Sequence, residues 1–503
     1  MSQWMLVGVL IVALSVGFVS SGCSGGSSGD ADDITGQMDI VEDIDVGAGD
    51  LGRDEVDLGG SDETGVDHVG RDALDLDDQD IDRGDGTGDD VEVFVPIEAH
   101  LEKHGDFTLV WLAGTPYEMG RQHGELLHDT IAEAMVFVAN DPLLSSLPTL
   151  AEALGIIDIA QQSTYPDILE ECQGLVDATS DVGFTMTFCL ALNFGDVMLE
   201  FIENGIPEAG PGCTSVLARG DATPDGRLYH SRNLDWGGMN LDIIYHNPVI
   251  FIRQPADGIP HVYVGFPLNL SPYTGMNLAG ISIGSHEAEP ASPAEQSATG
   301  RSHVQMVAQL LKHSKSMEDV RTFLHAEKHM SVEMFSVGDG QGQTGAVFEM
   351  TASRVMERPL EDDVVFVTNH FVHPDMVAKH AKPSSGSKAR FKRLTQLVPR
   401  DAEESVYGTL DIVGMAGVMR DPINPDLEVQ PTPAEIEASG WDIDGAIGLN
   451  APMHLALFDP DRLLFWVAAG IPPVHVKPYT CFSLKELLGM SASDGSEECP
   501  GIP

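Results

Sequence analysis

The spacing of apolar and polar positions changes near residue 213, and this change predicts the order of the elements. Residues 107–114 read "FTLVWLAG", an apolar run typical of a strand. The next stretch reads "TPYEMGRQHGELLHDTIAEAMVFVA"; it opens on a Thr-Pro cap signal and continues with apolar residues at helical spacing. Residues 140–203 keep a mainly helical spacing. We therefore predict one strand followed by helices.

Beyond residue 213 the pattern becomes that of short strands. They read "TSVLAR", "RLYHSRNLDW", "NPVIFIRQ", "HVYVGF" and "LAGISIGSH". One long helix is predicted over "HVQMVAQLLKHSKSMEDVRTFLHA", then a hairpin around "DGQGQTG" and a strand "DDVVFVTNHF". A short helix near Ala389–Leu397 and a final strand "LFDPDRLLFWVAAG" complete the pattern. Strands, paired helices and further strands favour an α+β layered fold over a doubly wound sheet.

Residues 24–95 are predicted to be a disordered acidic tether. They hold 24 Asp and Glu residues against three Lys and Arg residues, with few apolar side chains to offset chain entropy. The run "DQDIDRGDGTGD" spaces its aspartates like the start of a calcium-binding EF-hand loop. However, Arg83 stands where that loop needs Gly, and Asp89 replaces its bidentate Glu. A solvated charge run is therefore favoured, and no metal or cofactor is predicted.

Residues 1–23 read as an export signal because they are uncharged, mostly apolar and end in small residues. The ending Ser-Ser-Gly-Cys resembles a bacterial lipoprotein cleavage box, which makes Cys23 the candidate lipidation site. Ser20 departs from the usual Leu, and a positive leading region is missing. A plain signal peptide or a single membrane anchor is the alternative. We expect an exported protein held to the cell envelope by lipid, with no other membrane contact.

Net charge and cysteine count narrow the function further. A formal charge of −52 repels nucleic acid, so nucleic-acid binding is excluded. Export implies an oxidising compartment, and five cysteines remain after Cys23, so at least one is free or pairs between chains. Pairings of Cys172 with Cys189 and of Cys481 with Cys499 are compatible with the sequence, which leaves the connectivity open. Metal-type spacing of Cys and His is missing from the sequence.

Cys213 is the candidate nucleophile. Pro-Gly precedes it, which leaves the Gly212 carbonyl unhindered for attack by the thiol of the next residue. If the Gly212–Cys213 bond were cut, the new α-amine would have a pKa of about 7.7–8.0, close to ideal for a general base. Nucleophile and base would then lie on one residue. The alternative is a buried cysteine that acts as a small hydrophobe.

Arg232 and Asp235 lie one hairpin downstream in "HSRNLDW" and suit the same chemistry. An arginine near the thiol favours the thiolate, and an aspartate can hold and orient the new ammonium. A surface salt bridge in a turn is the alternative for an isolated pair of this spacing.

These motifs resemble the cysteine-type N-terminal nucleophile hydrolases, in the branch of penicillin (isopenicillin N) acyltransferase, related to bile salt hydrolases and penicillin V acylases. The resemblance rests on seven motifs, which stand in the family's order: "GTPYEMGRQHGELL", "YPDILEECQGLVDAT", "GCTS…GRLYHSRNLDW", "GMNLAGISIG", "VFVTNHF", "SSGSKARFKRL" and "LFDPDRLLFWVAAGIPP". It covers about Phe107 to Leu488. It implies a four-layered αββα sandwich.

The resemblance also implies self-cleavage between Gly212 and Cys213. Residues 96–212 then form an α-chain and residues 213–503 a catalytic β-chain, and the two stay together. Site roles carry over from the matching motifs, with Asn277 and Asn369 as oxyanion donors and Arg390 as the family's arginine; the nearby Arg393 is the alternative to Arg390.

The expected activity is an amidohydrolase or acyltransferase that opens the C–N bond of a small N-acyl amide through a Cys213 acyl-enzyme. A homo-oligomer is compatible with this. One alternative is a non-enzymatic surface lipoprotein whose acidic tether binds calcium or spaces a binding domain. The other is a Cys/His protease, which would need His230, His286 or His370.

Overall fold

The computed structural model describes residues 97–153, 155–194, 212–235, 242–441, 443–449, 452–490 and 499–502 of the chain. The predicted export signal, Cys23 and the acidic tether of residues 24–95 lie outside these ranges. None of the helices described there combines the length and the apolar character that crossing a bilayer demands.

Of the two sheets in the described part of the chain, the larger has nine strands in the order β1-β2-β5-β6-β7-β8-β9-β10-β11. Only β2 and β5 pair in parallel; the other neighbours are antiparallel. The strands are β1 (His100–His104), β2 (Phe107–Gly114), β5 (Val249–Pro255), β6 (His261–Gly265), β7 (Thr274–Asn277), β8 (Ile281–Glu287), β9 (Glu333–Asp339), β10 (Thr344–Thr351) and β11 (Arg354–Pro359).

The smaller sheet has six antiparallel strands in the order β12-β3-β4-β13-β14-β15. They are β3 (Cys213–Gly220), β4 (Gly226–Asp235), β12 (Val364–Val367), β13 (Pro452–Asp459), β14 (Leu464–Ala469) and β15 (Thr480–Ser483). Cys213 begins β3 and Asp235 ends β4, so the pairing of these strands places both residues at the open end of the hairpin, away from its turn.

Helices precede and connect the strands. Within the described ranges they are α1 (Pro116–Leu126), α2 (His128–Asn140), α3 (Pro142–Ala153), α4 (Ile156–Ser163), α5 (Pro166–Thr179), α6 (Met186–Asn193), α7 (Asp242–His246), α8 (His303–His313), α9 (Met317–Ala326), α10 (Ser385–Leu397), α11 (Ile412–Met419), α12 (Pro433–Ala438) and α13 (Leu484–Leu487). Thr115 caps α1 in a capping box with Glu118, as the Thr-Pro signal predicts.

Alternation along the strands explains why the two sheets stack. On β2, Leu109 and Trp111 face the smaller sheet and pack with residues such as Phe465. Val110 and Leu112 point the opposite way, to the cluster that includes the helices α1, α2 and α5. Because successive side chains alternate between faces, one strand supplies two cores.

The outer faces of both sheets are covered by helices. On the larger sheet, α8 and α9 cover β8 and β9. On the smaller sheet, Val216 and Ala218 of β3 pack with Leu394 of α10 and Met415 of α11. The described residues therefore form four layers, with helices outside each of two stacked sheets. The predicted four-layered αββα sandwich is confirmed.

Three predicted elements are each split in two. The long helix over residues 303–326 breaks into α8 and α9, because the Ser316 side chain caps α9 by accepting from the Asp319 N–H. The predicted first helix divides at Leu127. The predicted final strand is the hairpin of β13 and β14, whose turn holds Pro460. In each case a local cap or turn overrides a continuous apolar pattern.

Candidate active site

Cys213 is a buried thiol, 2% exposed, at the start of β3. It is the free cysteine of the described chain, since Cys172 pairs with Cys189 and Cys481 with Cys499. Burial raises the pKa of the Cys213 thiol; nearby Arg232 opposes this rise. The uncut chain therefore holds Cys213 mainly as the neutral thiol.

The Gly212–Cys213 peptide is held on both sides. The Cys213 N–H donates to Asn369 Oδ1 at 2.6 Å, and the Gly212 carbonyl accepts from the Asp235 N–H at 2.7 Å. A Cβ placed on Gly212 would lie 3.3 Å from Arg390 Nη2 and 3.4 Å from Asp235 Oδ2. A cation and a carboxylate thus lie beside the bond that the sequence predicts to be cut.

Arg232 is fully buried between the two sheets. One guanidinium nitrogen donates to the Asn233 carbonyl and another to the Ser285 carbonyl of β8. The side chain crosses β8 at Gly284, where an added Cβ would lie 2.6 Å from Arg232 Cδ. Backbone carbonyls and a residue without a side chain therefore fix the cation beside the thiol.

Asn369 and Arg390 join at Cys213 from two different elements. Asn369 follows β12, and its Oδ1 accepts from Arg390 Nη2 at 3.0 Å as well as from Cys213. Arg390, on α10, also donates to the Cys213 carbonyl and to Thr214 Oγ1 at 3.0 Å. Burial lowers the pKa of Arg390, and Asp235 opposes that shift. The two residues form a hydrogen-bonded clamp on Cys213.

Asn369 contacts Cys213 through its acceptor oxygen, whereas the resemblance assigned it a donor role. Its Nδ2 donates to the Glu287 carbonyl at 3.0 Å. Asn369 therefore holds the amide nitrogen of Cys213, the atom that the predicted cleavage would turn into an α-amine.

The structure does not bring Asn277 to Cys213. Its Nδ2 donates to the carbonyls of Leu311 and Ser314 at the end of α8, at 3.0 and 2.8 Å. Its Oδ1 accepts from the N–H groups of Ala279 and Ile281 in the turn to β8. These four bonds occupy the amide, so Asn277 has a structural role here.

Arg393, the alternative to Arg390, also lies elsewhere. It forms ion pairs with Asp421 and Glu404, both at 2.9 Å. The geometry thus favours Arg390 as the arginine of the site.

The histidines needed for a Cys/His protease have other partners. His286 bonds Ser215 Oγ at 2.9 Å, His230 bonds Ser282 and Ser336 at 2.9 Å each, and His370 bonds Ser387 at 2.8 Å. Within the ranges that the structure describes, no histidine hydrogen-bonds to Cys213. This arrangement does not favour a conventional Cys/His dyad.

Sequence reasoning missed Ser387 and Gly284. Ser387 Oγ accepts from the Asn369 N–H at 2.9 Å and bonds Thr368 at 3.0 Å, so it positions the asparagine. The signal lies in "SSGSKARF", where Ser387 precedes Arg390 by one helical turn. Gly284 gives a weaker signal, because a glycine in a strand only hints at a close approach.

Metal binding finds no support in the described part of the chain, where no cluster of three or more His, Cys, Asp or Glu side chains could hold an ion. The aspartates of the EF-hand-like run lie outside it.

Comparison with known proteins agrees with the motifs. A model of the acyl-coenzyme A:6-aminopenicillanic acid acyl-transferase family matches residues 222–411. The matched segment includes Arg232, Asp235, Asn369 and Arg390, and it begins after Cys213. The resemblance to this family is thereby confirmed.

One curated relative is an uncharacterized protein of Archaeoglobus fulgidus. It is 26% identical over an alignment of 343 positions, and the match covers 60% of this chain and 56% of the relative. The chain thus spans little more than half the length of that relative.

Three solved structures are also similar. An N-acylethanolamine-hydrolyzing acid amidase ortholog of Caenorhabditis elegans is 15% identical with a TM-score of 0.33, and the match covers 50% of this chain and 93% of that one. A conjugated bile acid hydrolase of Clostridium perfringens is 11% identical with a TM-score of 0.36, covering 56% of this chain and 95% of that one. A penicillin V acylase of Agrobacterium tumefaciens is 16% identical with a TM-score of 0.30, covering 52% of this chain and 84% of that one. These TM-scores are low, so the fold is assigned from the layers observed in this chain and not from these structures.

Proposed function

We propose that the chain is a self-activating cysteine amidohydrolase or acyltransferase that cuts itself between Gly212 and Cys213 and then acts on a small N-acyl amide. The observation that carries this proposal is the set of hydrogen bonds around the scissile peptide. Asn369 binds its nitrogen, and the Asp235 N–H binds its carbonyl oxygen. The confirmed resemblance to an acyl-transferase family supports the reaction class.

Self-cleavage begins when Cys213 Sγ attacks the Gly212 carbonyl carbon. The developing oxyanion receives the hydrogen bond of the Asp235 N–H, an interaction that strengthens as negative charge grows. The C–N bond then breaks, and the thiol proton passes to the leaving nitrogen, with the Asp235 carboxylate beside the bond to carry it. Water next adds to the Gly212 thioester; the C–S bond breaks, the Gly212 carboxyl group forms, and the thiol is restored.

Turnover uses the same atoms. The freed α-amine of Cys213 accepts the thiol proton while Sγ attacks the substrate amide carbonyl, and the amine product leaves with that proton. While it carries that proton, the α-ammonium is held by Asn369 Oδ1 and Asp235. Water, or an acceptor amine, resolves the acyl-thioester. The Asp235 N–H, released by Gly212, can bind the substrate oxyanion.

Export and lipidation at Cys23 are part of the proposal. The two disulfides support an oxidising compartment, since such bonds are rare in reducing ones.

Intact-mass measurement with N-terminal sequencing tests the proposal on wild type and on Cys213→Ala, purified from the cell envelope of an expressing bacterium. Wild type should give a chain beginning Cys-Thr-Ser-Val, and the variant should stay uncut. The mass of the N-terminal chain shows whether it starts at Cys23 with lipid. A single uncut chain in wild type would sink the enzyme proposal and favour the tethered binding protein.

A further inference from the structure

Asn193 is a fully buried polar residue at the end of α6, in the chain before the proposed cut. Its Nδ2 donates to the Cys189 carbonyl at 2.7 Å, one helical turn back. Its Oδ1 accepts from the Leu270 N–H at 3.1 Å, in the loop between β6 and β7. Because a buried N–H left without an acceptor is costly, this bond fixes where a loop of the chain after the cut can lie.

The main chain of Asn193 makes a second contact across the cut. Its carbonyl accepts from Gln305 Nε2 at 3.0 Å and from Ser302 Oγ at 3.4 Å, both at the start of α8. Gln305 Nε2 also donates to Thr164 Oγ1 at 3.1 Å, again in the chain before the cut. The start of α8 is therefore docked on the helices that precede Gly212.

Both segments that Asn193 holds pack around the nucleophile. Tyr273, where the loop ends, and Val304, in the first turn of α8, belong with Cys213 to one buried cluster. The Tyr273 carbonyl also accepts from the Ser285 N–H at 2.9 Å, and the Ser285 carbonyl accepts from Arg232. A shift of the loop or of the helix would therefore move the side chains around the thiol and the support of the cation beside it.

A disulfide sets the position of the helix that carries Asn193. The fully buried Cys172–Cys189 bond joins α5 to α6, and Asn193 Nδ2 lies 3.4 Å from Cys189 Sγ. Helix α5 is in turn fixed to β5 by the buried ion pair of Glu171 with Arg253. The disulfide therefore holds α6 against a helix that is anchored in the chain after the cut.

Building on the proposed function, we infer that Asn193 is a positioning residue that aligns the Cys213 thiol from across the cut, and that the Cys172–Cys189 disulfide keeps it in place. The chain before the cut then contributes to the reactivity of the thiol without touching the reacting atoms. The bond to the Leu270 N–H is the contact that a substitution removes, because the main-chain carbonyl of residue 193 persists in every variant.

The test follows self-cleavage by intact mass after each chain is refolded from urea in an oxidising buffer, with tryptophan fluorescence as the measure of refolding. Asn193→Ser keeps a donor for the Cys189 carbonyl and cannot reach Leu270, so it should be cut about tenfold more slowly than wild type. Asn140→Ser is the matched control. Asn140 also ends a helix and donates to the carbonyl four residues back, at 2.9 Å, so this variant should be cut at the wild-type rate.

Further variants separate the position of the thiol from general stability. Asn193→Asp should be cut at close to the wild-type rate at pH 6, because burial raises the pKa of a carboxyl group and its neutral form has the donor and the acceptor of the amide. Paired alanine substitution of Cys172 and Cys189 should slow cleavage severalfold, whereas the same change at Cys481 and Cys499 should not. This pair of disulfide variants also decides the question if Asn193→Ser does not refold.

Failure of this inference looks different from failure of the proposed function. The role of Asn193 is overturned, and self-cleavage stands, if Asn193→Ser is cut at the wild-type rate or Asn140→Ser is slowed equally. The same follows if Asn193→Asp at pH 6 is as slow as Asn193→Ser, or if the two disulfide removals have equal effects. If the wild-type chain is not cut, or Cys213→Ala is cut, the proposed function fails and the role of Asn193 fails with it.

Discussion

Arg390 and Arg393 lie three positions apart on α10, and their guanidinium groups contact different partners. Arg390 holds the Cys213 carbonyl and Asn369, whereas Arg393 pairs with Asp421 and Glu404. The pair offers a matched test of the site, because Met at either position keeps most of the side-chain stem and removes the charge.

Arg390→Met should slow self-cleavage about 100-fold, since hydrogen bonds from a charged donor to Cys213 and Asn369 are worth together about 3 kcal/mol. Arg393→Met should be cut at the wild-type rate and lose about 1–2 kcal/mol of unfolding free energy. Time courses of intact mass, beside denaturant unfolding curves, measure both effects. Wild-type cleavage in Arg390→Met would remove this residue from the site.

At the scale of residues, the sequence identified side-chain types better than their partners. Asn277 and Asn369 both stand in motifs that match the family, yet only Asn369 reaches Cys213. Its partner is 156 positions away, and that of Asn277 at Leu311 is 34 away. Partners so distant are decided by how strands and helices pack, which local spacing does not encode. The sequence predicted that Cys213, Arg232 and Asp235 lie together, and they do because one hairpin contains all three.

At the scale of elements, the family resemblance implied the layers, and the apolar pattern missed the breaks within helices and strands. The apolar run of β2 predicted a strand, and its side chains enter two cores. The split of α8 from α9 depends on the Ser316 cap, and the α10 start lies earlier than its apolar pattern because Ser384 caps it. Caps and turns involve one or two polar residues, so they are weak signals within a long apolar run.

The disulfides make a prediction at this scale. The Cys172–Cys189 bond joins α5 to α6 before the proposed cut, and Cys481–Cys499 joins β15 to the tail after it. Neither bond crosses the Gly212–Cys213 peptide. A non-reducing denaturing gel of the cleaved protein should therefore show two bands.

The same protein should elute as one species on native size exclusion, because two contacts join the chain before the cut to the chain after it. Strand β2 of the first pairs with β5 of the second in the larger sheet, and Glu171 of the first forms a buried ion pair with Arg253 of the second at 2.6 Å. Cys213→Ala, run beside it, should give one band. One band from the cleaved protein would mean a disulfide between the chains, and two native peaks would contradict the shared sheet.

For the whole molecule, buried histidines predict instability in acid. Burial lowers the pKa of His123 to about 4 and the pKa values of His230, His261 and His454 to about 3. In the unfolded chain the pKa is about 6.5, so between pH 6.5 and about 4 the unfolded state binds more protons. This stability is present above pH 6.5 and is lost as the pH falls. Each histidine contributes about 1.4 kcal/mol per pH unit in that window.

Other buried groups oppose the trend. His329 beside Glu333 has a raised pKa, although burial alone would lower it, and burial raises the pKa of Glu171. Both groups favour the folded state as the pH falls. The four histidines outweigh these two groups, so the free energy of unfolding should still decrease as the pH is lowered.

Urea unfolding of the single-chain Cys213→Ala protein at pH 7.5 and 5.5 checks this sign. The free energy of unfolding should be several kcal/mol lower at pH 5.5. His261→Asn in the same background isolates one group, since Nδ2 can replace the Nδ1–H that donates to the Ile259 carbonyl at 2.8 Å. This variant should shrink the difference by about 1 kcal/mol, the share of one histidine between pH 6.5 and 5.5. Equal stability at both pH values, or the same difference with and without His261, would show that these imidazoles are not held neutral by the fold.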